Sequence, residues 1–312
     1  MKQISIRYNL RKGNQFFRFL PLTLLTLPAL IYLFINCYIP LAGLSIAFKK
    51  INFRLGIFES PWCGLDNFIY LFTSPDTMKM TIHTVGYNLI FIVMGLIGGV
   101  FTAILLSEIG QGRWQKFYQM SFLIPYLVSA TVVGYIVYAF LDPRLGMLNT
   151  IFSHLGLESK DWYNDPKPWP YILIFVNFWK NTGYSAILYL ASITGMDHSL
   201  FEAAALDGAT RWQRIRYLTL PMLVPLMVTL TLLNIGKIFY ADFGLFYQVP
   251  LASGLLQETT EVIDTYVYRT LMLTGDIGRA AAAGFYQSVV GATLVIVTNL
   301  IVRKISPENA LF

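Results

Sequence analysis

Charge is what this chain has least of: Asp, Glu, Lys and Arg make up 13% of its 312 residues, about half the share of an ordinary soluble domain. Cysteine is nearly absent. Cys37 and Cys63 are the only two, and without a CxxC or Cys/His spacing they predict neither a disulfide framework nor a metal site. His83, His154 and His198 are scattered, and no Ser/His/Asp arrangement offers a nucleophile, so the histidines read as polar residues near membrane ends. The phosphate-loop pattern G-x-x-x-x-G-K-[ST] is missing too. Gly236-Lys237 has Thr231 where that pattern needs its first glycine, so nucleotide hydrolysis is not expected of this chain. No low-complexity tract, charge run or internal repeat breaks the sequence into separate units.

What is present is hydrophobic: 55% of residues are apolar and the mean hydropathy is +0.56, the balance of a membrane protein. A helix needs about 20 mainly apolar residues to cross the hydrocarbon of a bilayer. Six stretches qualify, at residues 20–48, 82–106, 117–141, 170–193, 217–240 and 280–302, and none contains an Asp or Glu. The expected fold class is an all-α integral membrane protein with six transmembrane helices. It forms one transmembrane domain over 20–302, with cytoplasmic segments at 1–19 and 303–312. The first stretch is overlong and holds Pro21, Pro28 and Pro40, so its helix is expected to cover only part of it, as a retained anchor and not a cleaved signal.

Basic residues orient the spans. With both termini inside, the short cytoplasmic segments hold Lys2, Arg7, Arg11, Lys12, Arg18, Arg113, Lys116, Arg211, Arg214, Arg216, Arg303 and Lys304. The longer outside segments hold fewer: Lys49, Lys50, Arg54, Lys79, Arg144, Lys160, Lys167, Arg269 and Arg279. The same spread argues against nucleic acid as a partner despite a net charge of +6 and pI near 9.2, because no basic patch interleaved with aromatics occurs. The outside segments are too short for folded domains and are expected to form a small cap. Trp162 and Trp169, among Pro143, Pro166, Pro168 and Pro170, predict an ordered interfacial loop.

Polar residues inside spans are costly and so informative. Asn177, Lys180, Asn181 and Tyr184 recur every three or four residues, on one helical face, with Trp179 nearby. The next span holds Asn234, Lys237 and Tyr240, the second Tyr87 and Asn88, and the last Tyr286, Gln287 and Ser288. These are candidates for a substrate pathway, where rings stack on sugar faces and amide or ammonium groups meet hydroxyls. Each is equally readable as a hydrogen bond between neighbouring helices. If Lys180 and Lys237 both face the pathway, an anionic substrate is favoured. Gly95 and Gly99 form a small-xxx-small pair for close helix packing.

One polar island, residues 201–222 (FEAAALDGATRWQRIRYLTLPM), lies between two apolar runs. Ser199 with Glu202, and Thr210 with Gln213, have the spacing of capping boxes, and Gly208 stands where a left-handed residue ends the first helix. The second helix is expected to stop at Pro221. Glu202-Ala203-Ala204, Asp207-Gly208-Ala209 and Leu220-Pro221 together resemble the EAA loop of permease subunits in binding-protein-dependent (type I) ATP-binding-cassette (ABC) importers. The segments 39–48, 64–68 and 142–149 and the ending Glu308-Asn309-Ala310-Leu311-Phe312 are similar to the oligosaccharide and polysaccharide branch of that family, which includes alginate and rhamnogalacturonan importers.

The resemblance implies the type I importer permease fold, with an elbow at 199–221 that couples to a cytoplasmic ATPase. It implies partners: a second, different permease chain, two ATPase subunits holding ATP and Mg, an extracytoplasmic solute-binding protein, a saccharide substrate and membrane lipid. This chain itself would bind no cofactor or metal and catalyse nothing, and would sit in the bacterial inner membrane. Three other readings stand beside it: an importer permease for another small solute, a secondary transporter and a membrane-embedded transferase. The secondary transporter lacks carboxylates in the spans, and the transferase lacks converging acids.

Overall fold

The computed structural model describes residues 15–110, 112–305, Pro307 and Ala310. Lys2, Arg7, Arg11 and Lys12, most of the expected cytoplasmic segment 1–19, and Glu308, Asn309, Leu311 and Phe312 of the terminal motif lie outside the described residues. Within them the chain is helical, and extended backbone pairs only at an isolated antiparallel bridge between Lys49 and Trp62. Eight helices carry the architecture: α1 Gln15–Leu33, α2 Pro75–Glu108, α3 Arg113–Leu127, α4 Ala130–Leu141, α5 Trp169–Thr194, α6 His198–Leu206, α7 Leu220–Gly236 and α8 Ile277–Ile305. Four helical segments are long and apolar enough to cross a membrane, Leu24–Phe48, Thr77–Glu108, Arg211–Gly236 and Ile277–Lys304, and α3 with α4 makes a fifth if that bent pair is one span. At 26 residues α5 is also long enough, about 39 Å, but Asn177, Lys180, Asn181 and Thr182 in its middle lower its apolarity.

The helices meet through α5. Gly98 and Gly99 of α2 lie against Phe178, Thr182, Ser185 and Tyr189 of α5, so close that a Cβ at either glycine would collide with a side chain. Gly183 of α5 lies directly on the Phe122 backbone of α3. Gly95 has open space around it, so the packing face is Gly98 and Gly99 and not the expected Gly95 and Gly99. At one end of α5, Trp169, Leu173 and Val176 pack with Tyr87 of α2, Val133 and Val137 of α4, and Leu245, Phe246, Val249, Leu256 and Val262. At the other end, Tyr189 and Leu190 pack with Val100 and Leu106 of α2, Met196 and Leu223.

Several expectations are corrected. The helix through residues 15–48 is continuous across all three prolines, and the segment from 211 to 236 runs through Pro221 without stopping. The reason is the same at Pro40 and Pro221: a wider π turn, Phe34–Tyr38 or Ile215–Thr219, ends two residues before the proline. The Ile39 and Leu220 amides reach back five residues to the Phe34 and Ile215 carbonyls, which absorbs the missing proline N–H within the helix. The third apolar run is not one helix. With Pro125 in its last turn α3 ends, Val128 and Ser129 are extended, and α4 departs at 95° with the Ser129 hydroxyl capping its first turn at Val132.

The segment after α7 packs into the helices: its Leu245, Phe246, Val249, Leu256 and Val262 side chains fill the α2/α4/α5 core and the Gln248 backbone sits on Gly134. Trp169 is fully buried and not interfacial, and its indole donates to the Trp162 carbonyl at 2.7 Å. Lys49, counted above among the basic residues of the expected outside segments, is buried with its ammonium donating to the Ile57 and Phe58 carbonyls.

Gly183→Ala is expected to lower stability by about 1–3 kcal/mol, since the new methyl overlaps backbone that cannot rotate away. Gly95→Ala, which meets nothing within 4 Å, is expected to be neutral. Thermal melting of the detergent-solubilised protein compares the two; equal melting temperatures would contradict the α3–α5 contact.

Candidate functional site: the helical elbow and the polar faces beside it

The elbow starts at Asp197, whose carboxylate caps α6 by accepting from the Ser199 amide at 2.9 Å. That hydrogen bond holds the Asp197 carboxyl below the usual carboxylate range. Ser199 and Glu202 therefore do not form the expected capping box, because the helix begins two residues earlier. At the other end of α6, Gly208 is left-handed with φ +81°. The Gly208 amide donates to the Ala205 carbonyl at 3.1 Å and the Ala209 amide to the Ala204 carbonyl at 2.9 Å, a complete Schellman ending. Thr210 and Gln213 then cap Arg211–Arg214 reciprocally, at 2.8 and 3.3 Å. The Ala204 and Ala205 carbonyls and the Thr210 and Gln213 amides are thus satisfied within the corner itself.

Two side chains tie the elbow to the core: Met196 is buried, and Phe201 packs half-buried on the cluster of Val100, Leu106 and Leu223 together with Leu220. The rest faces out. Glu202, Ala203, Asp207, Gly208 and Pro221 are exposed, and Ala204 and Ala209 are half-buried. Leu206 is 89% and Trp212 67% exposed, bare apolar groups of the kind found at interaction surfaces. Between the two helical arms lies a groove of about 360 Å³ whose lining includes Asp207, Gln213, Arg214 and Tyr217.

The polar residues of the helices divide into two groups. In one, the side chains are used up inside the chain. Tyr87 is buried and its hydroxyl donates to the Thr259 carbonyl at 2.7 Å. Asn88 donates to the Ile238 and Tyr240 carbonyls beyond the end of α7, at 2.8 and 3.1 Å. Gln287 is 4% exposed and donates to the Phe239 carbonyl and the Asp264 carboxylate. Tyr286 is held edge-on between Phe72 and Phe239. These four were pathway candidates; their hydrogen bonds and packing make them internal fastenings.

In the other group the side chains remain available. Asn177, Lys180 and Asn181 are half-buried on one face of α5, and none has a hydrogen bond or ion pair among the described residues. Tyr184 continues that face and stacks on Tyr126 of α3, with centroids 4.5 Å apart and planes 12° from parallel. Trp179, two residues from Asn177, lies on the opposite side of the helix and leaves this set. Asn234 and Lys237 are exposed, and the Tyr240 hydroxyl is 3.0 Å from the Ser288 hydroxyl.

Sequence reasoning missed Tyr126, whose place beside Tyr184 depends on α3 ending where it does. It also missed Asp264, a buried acid from the segment after α7. Asp264 accepts from the Ala241 amide at 2.7 Å as well as from Gln287, and burial pushes its carboxyl up.

Known proteins share this arrangement. Residues 95–307 match the family described as binding-protein-dependent transport system inner membrane component. The polygalacturonan/rhamnogalacturonan transport system permease protein YteP of Bacillus subtilis (strain 168) is 31% identical over 92% of this chain and 89% of its own length. Among solved structures, a bacterial ABC transporter involved in the import of the acidic polysaccharide alginate has a chain that superposes with a TM-score of 0.84. It is 31% identical, over 93% of this chain and 97% of that one. A bacterial alginate ABC transporter in complex with an alginate pentasaccharide-bound periplasmic protein gives 0.83 and 30%, over 93% and 96%. By the family match and these identities, with an all-helical fold of the same shape, this chain belongs to the inner membrane components of binding-protein-dependent transport systems.

Proposed function

We propose that this permease passes an acidic oligo- or polysaccharide from an extracytoplasmic solute-binding protein to the cytoplasm, driven by ATP that a partner subunit hydrolyses. As a member of its family it is a transport subunit of an ABC importer and not an enzyme. The reading assigns six crossings, with α3 and α4 as one bent span and α5 as the most polar. Both termini and the elbow then lie in the cytoplasm, in the inner membrane. The complex contains a second, different permease, two ATPases with ATP and Mg, and the solute-binding protein.

The observation that carries the reading is the elbow. Its corner is sealed locally, its apolar residues are bare, and two side chains anchor it to the α2/α5/α7 core. Glu202, Ala203, Ala204, Asp207, Gly208 and Ala209 form the surface offered to the ATPase, and Leu220-Pro221 turns the chain into the next span. Closure of the ATPase dimer on ATP draws the elbows together and turns the pathway outward; ADP release reverses it.

The pathway reading narrows to Asn177, Lys180, Asn181, Tyr184, Asn234, Lys237 and Tyr240, whose side chains the fold leaves available. The Lys180 and Lys237 ammonium groups, which form no ion pair among the described residues, favour anionic sugars. The support from relatives is that one solved transporter is described as importing the acidic polysaccharide alginate, and YteP as a polygalacturonan/rhamnogalacturonan permease.

Gly208→Val is expected to abolish uptake into proteoliposomes holding the assembled importer, because a β-branched residue resists the left-handed conformation. Gly208→Asn should retain most of it. Wild-type uptake by the valine variant would remove Gly208 from coupling. Lys180→Glu with Lys237→Glu is expected to cut uptake of uronate oligosaccharides about 10-fold or more, as expected for charges lining a narrow site, while neutral oligosaccharides of equal length lose far less. Equal loss for both would show that the lysines do not select charge.

A further inference from the structure

Beyond Gly236 the α7 helix gives way to a short unwound turn before the chain recovers helical form at Phe243. Ile238 and Phe239 of that turn are buried, while Lys237 and Tyr240 are exposed. Side chains from three other elements hold its backbone. Asn88 of α2 donates to the Ile238 and Tyr240 carbonyls at 2.8 and 3.1 Å, and Gln287 of α8 donates to the Phe239 carbonyl at 2.7 Å. The Ala241 amide donates to Asp264 Oδ2 at 2.7 Å, and the same oxygen accepts from Gln287 Nε2 at 3.1 Å. One carboxylate oxygen thus fixes the end of the turn directly and orients the amide that holds its middle. With that oxygen gone, the Gln287 amide loses what orients it, since its carbonyl and amino ends are near-equal in shape.

Asp264 is itself held in place from α2. The Thr84 hydroxyl accepts from the Ile263 amide at 3.0 Å, a His83 ring nitrogen lies 3.0 Å from the Glu261 carbonyl oxygen, and the Tyr87 hydroxyl donates to the Thr259 carbonyl at 2.7 Å. His83 and Tyr87, and Thr84 and Asn88, are each four apart, so one face of α2 fastens both the 259–263 segment and the turn. Asp264 is half-buried and takes part in none of the ion pairs among the described residues, which are Lys160 with Asp165, Arg269 with Glu261 and Arg279 with Asp276. An unpaired, partly buried acid is a costly way to fill space, and what it supplies here is an acceptor for two donors. We infer that Asp264 is a positioning residue of the pathway: by fixing the Ala241 amide and the Gln287 side chain it sets where Lys237 and Tyr240 stand. This inference rests on those two side chains lining the pathway, and adds to them a residue that acts through them. The Tyr240 ring is placed by the same turn. Its hydroxyl meets Ser288 at 3.0 Å, and Gly291 of α8 leaves it room, since a Cβ there would stand 3.6 Å from the ring.

The test uses the assembled importer in proteoliposomes. Uptake of a uronate oligosaccharide is followed over a range of concentrations, giving KM and the maximal rate per assembled complex. Lys237→Met, Asp264→Ala and the double variant form a cycle that isolates the coupling between the two residues. Each single variant is expected to raise KM about 5- to 10-fold, the scale of one lost hydrogen bond to a charged group, with the maximal rate per complex unchanged. The double variant is expected to be no worse than Lys237→Met alone, because Asp264 acts through the stance of that lysine. Asp264→Asn, which keeps an oxygen for both donors, is expected to hold KM near the wild-type value. If Asp264→Ala does not assemble, Gln287→Met, similar in length but without donors, takes its place in the cycle with the same expected result. Multiplying effects in the double variant, or a loss confined to the maximal rate, overturn the inference and leave Lys237 in the pathway. An unchanged KM for Lys237→Met overturns the pathway reading as well.

Discussion

A chain in hydrocarbon has no water to satisfy a broken backbone, so each interruption of a helix must be closed by the chain itself. This structure meets that constraint repeatedly, and its shape follows from how. At Pro40 and Pro221 a π turn absorbs the missing amide. At the 95° bend Ser129 caps the new helix. Beyond the end of α7, Asn88 takes the Ile238 and Tyr240 carbonyls, and at the end of α2 Gln115 takes the Leu106 carbonyl at 3.1 Å. At the elbow the Schellman ending and the capping box do the same work at the membrane surface. Polar residues in the spans are consequently of two kinds, and Tyr87, Asn88 and Gln287, which looked like substrate contacts by type alone, are closures.

That division decides what a pathway can be made of. Tyr87, Asn88 and Gln287 each hold a carbonyl at 2.7–2.8 Å, and a substrate competing for them would have to leave a backbone acceptor bare. The face Asn177, Lys180, Asn181 and Tyr184 carries no such debt. It is also the face of the helix against which the others are fitted by glycine contacts at Gly98, Gly99 and Gly183. The close packing that fixes α5 in place thereby fixes the positions of the free amide and ammonium groups. A saccharide, with hydroxyls to satisfy at every ring, needs donors that are held in place and not already engaged.

Much of this was legible in the sequence because the signals are local. Apolar run lengths located the helices, and Thr210, Gln213 and Gly208 located the corner of the elbow, where each residue acts on backbone within five positions of itself. What failed depended on distance or on competition between neighbours. Asp197 outcompeted Ser199 as the cap of α6 because it stands two residues earlier and its carboxylate is the stronger acceptor. Prolines that break isolated helices were accommodated because helix continuity in a bilayer is worth a local π turn. Gly95 and Gly99 matched a spacing rule, but only contact with α5 could tell that Gly98 and not Gly95 packs. Asp264 lies in a loop by sequence and becomes a buried acid by tertiary folding. Hence the absence of acids from the apolar runs was never enough to set aside a secondary transporter. Family membership settles that question.

The anchoring of the elbow explains how a small surface could govern a long pathway. Met196 and Phe201 join the corner to Val100, Leu106, Tyr189, Leu190 and Leu223, so one apolar cluster holds the ends of α2, α5 and α7. On the proposed reading, a push on α6 reaches three helices through one packed apolar cluster. On the same reading, the close contact of α2 with α5 at Gly98 and Gly99 links the elbow to the helix that carries Asn177 to Tyr184. At the bend between α3 and α4, Val128 and Ser129 are extended, and both sides are fastened to α5: α3 by the Gly183–Phe122 contact, α4 by Val133 and Val137 packing with Trp169, Leu173 and Val176. The elbow, α2, α5 and α7 then act, on the proposed reading, as one unit, and the Tyr126–Tyr184 stack lies beside the bend at the edge of the pathway face.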